Sequence, residues 1–117
     1  MKSYTDLEQS KKLAEILPLE SADMCWTSFD EKWDAYLGAP NPDAIKKEIP
    51  CWSLAALLEY LKTLESLVYL PGLFADNKVW ILQFVERGHG KVVEIKSNNS
   101  VDACYKMIIR LNELKML

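Results

Sequence analysis

The sequence predicts an α+β fold: a small antiparallel sheet, made of a hairpin plus one or two further strands, with about three helices packed on one face. Three observations carry that prediction. Residues 53–64 place leucines at helical spacing behind a serine, which writes one helix into the middle of the chain. Residues 78–86 and 91–96 are β-rich runs joined by Arg87-Gly88-His89-Gly90, the pattern of a hairpin. Residues 100–114 repeat apolar side chains on one helical face. Strands and helices do not alternate strictly, which favours α+β over a parallel wind.

Taken in order, Thr5-Asp6-Leu7-Glu8 matches a capping box with Thr5 as cap, opening a helix that Pro18 stops near Leu17. Residues 22–27, Ala-Asp-Met-Cys-Trp-Thr, read as a strand. Residues 28–49 admit two readings. Ser28-Phe29-Asp30-Glu31 is a second capping-box match, Gly38 fits a left-handed C′, and Phe29, Trp33, Tyr36 and Leu37 fall at i, i+4, i+7 and i+8. A short amphipathic helix fits that spacing, and so does a loop pinned by aromatics. Pro42 after Asn41 can open one more helical turn.

Pro50 keeps the residue before it extended, and Ser53 caps the central helix. Trp52 at N′ and Leu57 at N4 form a hydrophobic staple. Leu54, Leu57, Leu58, Leu61 and Leu64 make the buried stripe, with Glu59, Lys62 and Glu65 off it. Residues 67–70 suit a strand, after which Pro71-Gly72 turns the chain. In the hairpin, Trp80, Leu82 and Phe84 alternate to the face of Val93 and Ile95. Val79, Ile81 and Val85 make the opposite face apolar too, so it is covered or used for contact. The last helix turns Ala103, Cys104, Met107, Ile108, Leu111 and Leu114 inward.

One hundred and seventeen residues suit a single domain over 1–117, long enough for a core without covalent staples. The net charge of −3 and pI near 5.2 argue against a basic face for nucleic acid. No apolar run is as long as a membrane span, and the first residues have no signal-peptide pattern. Three cysteines, widely spaced and odd in number, read as reduced, buried thiols. A cytoplasmic protein is expected.

Three blocks resemble a known family. They are Tyr4-Thr5-Asp6-Leu7-Glu8-Gln9-Ser10-Lys11-Lys12-Leu13 leading to Ser21-Ala22-Asp23-Met24-Cys25-Trp26, then Pro50-Cys51-Trp52-Ser53-Leu54-Ala55-Ala56-Leu57-Leu58, then Asp102-Ala103-Cys104-Tyr105-Lys106-Met107. In that order they are similar to a family of small uncharacterised proteins from Bacteroides-type bacteria and their phages and prophages. The resemblance implies a mobile-element origin but no activity and no functional residues. Where that family often has Asn-Pro before the last helix, this chain has Asn99-Ser100. Proline suits N1, so the resemblance implies Asn99 as cap and Asp102 at N3.

No motif for chemistry stands out. Cys25, Cys51, Cys104 and His89 lack the close pairs of a structural zinc site. Nothing brings Cys104 and His89 together as a nucleophile and base. Glycines at 38, 72, 88 and 90 form no phosphate loop. Among the acids, Asp23 before its strand merits inspection, with a cap or turn as its plain role. The expectation is therefore a non-enzymatic protein without cofactor or metal that binds another protein, of host or phage, through Phe29, Trp33, Tyr36 and Leu37. Self-association is left open. The alternative use of these aromatics is to cover Val79, Ile81 and Val85 as core. The alternative function is a small ligand-binding domain or enzyme with an aromatic-lined pocket.

Overall fold

Two three-stranded antiparallel sheets and three helices make up the computed structural model, which describes residues 2–29, 32–38, 48–64, 72–76, 78–85, 88 and 92–117. The helices are α1 (Leu7–Ala14), α2 (Leu54–Lys62) and α3 (Ser100–Glu113). The strands are β1 (Met24–Phe29), β2 (Lys32–Leu37), β3 (Glu48–Cys51), β4 (Gly72–Asp76), β5 (Val79–Val85) and β6 (Val92–Ser97). One sheet has the order β2-β1-β3 and the other β4-β5-β6. The α+β expectation holds: α1 packs on β3 and α3 on β5 and β6, while α2 packs on α3.

The main core lies between α2, α3 and the β4-β5-β6 sheet. Leu82, Phe84 and Val93 meet Val101, Ala103, Cys104, Met107, Ile108 and Leu111 of α3 and Leu57 and Leu61 of α2. Leu13 and Leu17 close it from the end of α1. The register pairs Leu82 with Ile95 and Phe84 with Val93, so the predicted hairpin face is the buried one. On its other face Ile81 is buried while Val79 and Val85 are half-buried. Among the described residues no helix is long and apolar enough to cross a membrane.

The central helix starts as its sequence dictates. Ser53 is the N-cap and accepts from the Ala56 N–H at 3.1 Å. Trp52 and Leu57 are both fully buried, as a staple requires. Asn99 caps α3 through the N–H groups of Val101 and Asp102.

Several local expectations change. Asp6, not Thr5, caps α1, in a reciprocal box with Gln9, and the helix ends at Ala14, before a turn that leads to Pro18. Thr5 is instead buried, because its hydroxyl is needed by neighbours from other elements. Residues 32–37 are the strand β2, neither helix nor loop, paired with β1 from Met24↔Leu37 to Phe29↔Lys32. A helix that short carries its nucleation cost for few hydrogen bonds, whereas β2 satisfies an edge of β1. Gly38 takes φ +110°, but after a strand, where its N–H donates to the Asp23 carbonyl. Pro50 lies inside β3, which is tolerable because β3 is an edge strand. Gly72 is the first residue of β4, Pro71 lies outside the described residues, and Lys78 just before β5 takes φ +68°. The expectations for 41–42 and 67–70 lie outside the described residues.

Candidate functional site

The four aromatic and aliphatic residues singled out in the sequence all belong to the β1–β2 hairpin, but they do not share one face. Paired residues of an antiparallel ladder point the same way. Met24, Trp26 and Ser28 of β1 therefore share a face with Leu37, Ala35 and Trp33 of β2, and with Cys51 and Ile49 of β3. Tyr36 and Asp34 project from the other face, with Cys25 and Thr27. Phe29 ends β1 opposite Lys32.

The first of these faces is covered at its β3 end. Trp26 Nε1–H donates to the Thr5 carbonyl at 3.2 Å and to Ser10 Oγ at 3.1 Å, and its ring meets Tyr4 edge-on at 5.9 Å. Cover thins towards β2. On this face Trp33 is half-buried and Leu37 is 86% exposed, and on the other Tyr36 is 46% exposed. The reading in which these side chains fold down as core does not describe Tyr36 or Leu37.

β2 is also an edge. The Gly38 N–H to Asp23 carbonyl bond of 2.9 Å sets the phase of the β1–β2 ladder. Residue 38 faces β1, and with it, at every second position, 36, 34 and 32. The main-chain N–H and C=O groups of Trp33, Ala35 and Leu37 therefore point away from β1, where no described residue pairs with them. An edge of this kind is a template for another strand.

Asp23 has a structural task. Its carboxylate accepts from the Ser53 N–H at 2.9 Å and from the Ser53 hydroxyl, tying the strap before β1 to the start of α2. Beside it an open groove of about 600 Å³ runs between the 3₁₀ turn at Leu19–Ser21 and α2. Ala22, Ala55 and Ala56 line it with Pro18 and Tyr60, so it holds a single aromatic ring. Burial raises the Tyr60 phenol above its ordinary pKa.

The thiols are separate. Cys25, Cys51 and Cys104 are all free and buried. Burial pushes Cys104 up to about 12, and it raises Cys51 against hydrogen bonds from Thr5 and Ser10 that work the other way. Such thiols are poor nucleophiles at neutral pH. Among the described residues no group of three or more His, Cys, Asp or Glu side chains is placed to hold a metal ion. His89 lies outside those residues.

The feature missed in the sequence is the N-terminal strap. Lys2 Nζ donates to Asp102 at 2.6 Å, Gln9 at 2.7 Å and Asp6 at 3.2 Å, joining the first turns of α1 and α3. No local signal announces it, because its partners stand up to a hundred positions away.

Among the described residues the fold is an α+β arrangement of two small antiparallel sheets, one of them bordered by the hairpin strand β2. Searched against known proteins, the chain matches no family model, no curated protein and no solved structure.

Proposed function

We propose that this protein acts by binding another protein, and that it does so by accepting an extended segment against β2. The observation that carries this reading is the coincidence of outward main-chain groups at Trp33, Ala35 and Leu37 with side chains that water does not favour, above all the 86% exposed Leu37. In strand addition the main chain supplies affinity and alternate side chains supply specificity. Trp33 and Tyr36 are of the types most often found as interface anchors. The resemblance to proteins of mobile elements supports a partner from a host cell or a phage.

The test is affinity capture from the native cell, with the wild-type chain beside Leu37→Asp. A protein held by the wild type and lost with Leu37→Asp is expected. Equal capture by both would overturn the reading. The alternative of a ligand-binding or catalytic pocket lined by aromatics draws less support: the groove beside α2 has Tyr60 as its one aromatic ring, and at the hollow of about 270 Å³ beside Tyr4 and Trp26 the indole N–H is already spent on Thr5 and Ser10.

A further inference from the structure

We infer that the segment added to β2 comes first from a second copy of this chain, joined edge to edge about Ala35. This rests on the strand-addition reading above and names its partner. A two-fold axis through Ala35 places Ala35 opposite the partner's Ala35, Trp33 opposite the partner's Leu37, and Leu37 opposite the partner's Trp33. All three residues have outward N–H and C=O groups, so each facing pair exchanges both of its hydrogen bonds. No outward group of the three is left over.

The side chains match the same register. Trp33, Ala35 and Leu37 lie on one face, so each exposed leucine comes under an indole of the other copy. Aromatic–aliphatic pairs of this kind stabilise antiparallel ladders. On the opposite face Asp34 meets the partner's Tyr36, and Lys32 meets the partner's Gly38, so like charges never face each other. The neighbouring registers are worse. Sliding by two residues one way sets Asp34 against the partner's Asp34, a repulsive pair. Sliding the other way moves Trp33 past the end of β2 and uncovers Leu37. A closed two-fold contact also explains how such an edge avoids open-ended association, because pairing consumes it. The result is a continuous sheet, β3-β1-β2 followed by the partner's three strands in reverse.

The register is tested by a single cysteine. Opposed Cα atoms of a hydrogen-bonded pair stand about 5.5 Å apart, within disulfide range. Ala35→Cys should therefore cross-link to a covalent dimer under mild oxidation, whereas Lys32→Cys should not, since its own copy lies several residues along. The native thiols are buried and leave the background clean. In sedimentation the wild type should move from 13.4 kDa toward twice that mass as concentration rises. Ala35→Pro should stay at 13.4 kDa with an unchanged circular dichroism spectrum, because it removes only an outward N–H from an edge strand. If Ala35→Pro fails to fold, the cross-link decides alone. A wild type that stays monomeric and an Ala35→Cys that does not cross-link overturn the dimer. So does a folded Ala35→Pro that still dimerises. A monomeric wild type whose capture of a foreign partner is lost with Leu37→Asp would end the dimer inference and leave the strand-addition reading standing. A monomeric wild type without the Ala35→Cys cross-link, whose capture is also indifferent to Leu37→Asp, would end both.

Discussion

The hydroxyl of Thr5 is buried among three groups from two other parts of the chain. It lies 2.7 Å from Ser10 Oγ on α1, accepts from the Trp52 N–H at 3.2 Å, and reaches Cys51 Sγ at 3.6 Å. Valine has almost the same shape and no oxygen. Thr5→Val should therefore cost about 1–3 kcal/mol, measured by chemical denaturation, because a buried N–H and a buried hydroxyl lose a partner. Ser53 is similar in kind. It serves the helix as cap and serves Asp23 as donor, so Ser53→Ala should cost about 1–2 kcal/mol. Trp52 is fully buried and its Nε1–H donates to Ser21 Oγ at 2.9 Å. Trp52→Ala should cost more than either, roughly 3–5 kcal/mol by the same measurement. A smaller loss than Ser53→Ala would mean the staple does not hold the helix start.

At the scale of elements, α2 and β2 stand at opposite ends. The helix combines a cap, a staple and a leucine stripe that agree with one another, so local and tertiary terms point the same way. The strand borders its sheet with Leu37 almost wholly in water. Leu37→Asp should thus change the unfolding free energy by no more than about 0.5 kcal/mol while altering what the protein binds. That split separates contact from core in a single variant. Gly38 ends the same strand at φ +110°, where nothing crowds a Cβ but the backbone disfavours one. Gly38→Ala should cost about 1 kcal/mol through backbone strain alone.

For the whole molecule, the Lys2 cluster ties the N-terminal strap to two helix starts, and it does so with charge. Burial disfavours the Asp102 carboxylate, yet the Lys2 and Gln9 hydrogen bonds outweigh it and hold the group below its ordinary 3.8. Burial likewise works against the Lys2 ammonium, and the hydrogen bonds to Asp102 and Asp6 overcome it and raise the group above 10.5. A depressed carboxyl contributes stability that is complete above 3.8 and lost as pH falls through its folded value. A raised ammonium contributes stability that is complete below 10.5 and lost as pH rises through its folded value. The stability gap between wild type and Asp102→Asn should accordingly be flat from pH 5 to 9 and shrink below about pH 4. A gap that persists undiminished at pH 2 would show that the charge of Asp102 is not what the strap uses. The buried thiols give a second check on the whole fold. Cys25, Cys51 and Cys104 should resist a thiol reagent in the native protein and all react once it is denatured.

The parts legible in the sequence are those whose physics is local. The Ser53 cap with its leucine stripe, the Asn99 cap of α3, and the alternation of Leu82 and Phe84 against Val93 each depend on neighbours within a few residues or across one hairpin. The cap of α1 shifted by one position because Thr5 was claimed by Ser10, Cys51 and Trp52, none of them visible from the Thr-Asp-Leu-Glu pattern. Residues 29–37 show the limit most clearly. Their helical spacing at 29, 33, 36 and 37 is equally an alternation at 33, 35 and 37, so the period alone did not choose. The ladder with β1 decides it, pairing Met24 with Leu37 through to Phe29 with Lys32. The sequence determined that Trp33, Tyr36 and Leu37 are apolar or aromatic and stand close together. Only the tertiary structure decided that they form an edge, since an edge is defined by which strands pair and which do not, and pairing is settled between segments far apart in the chain.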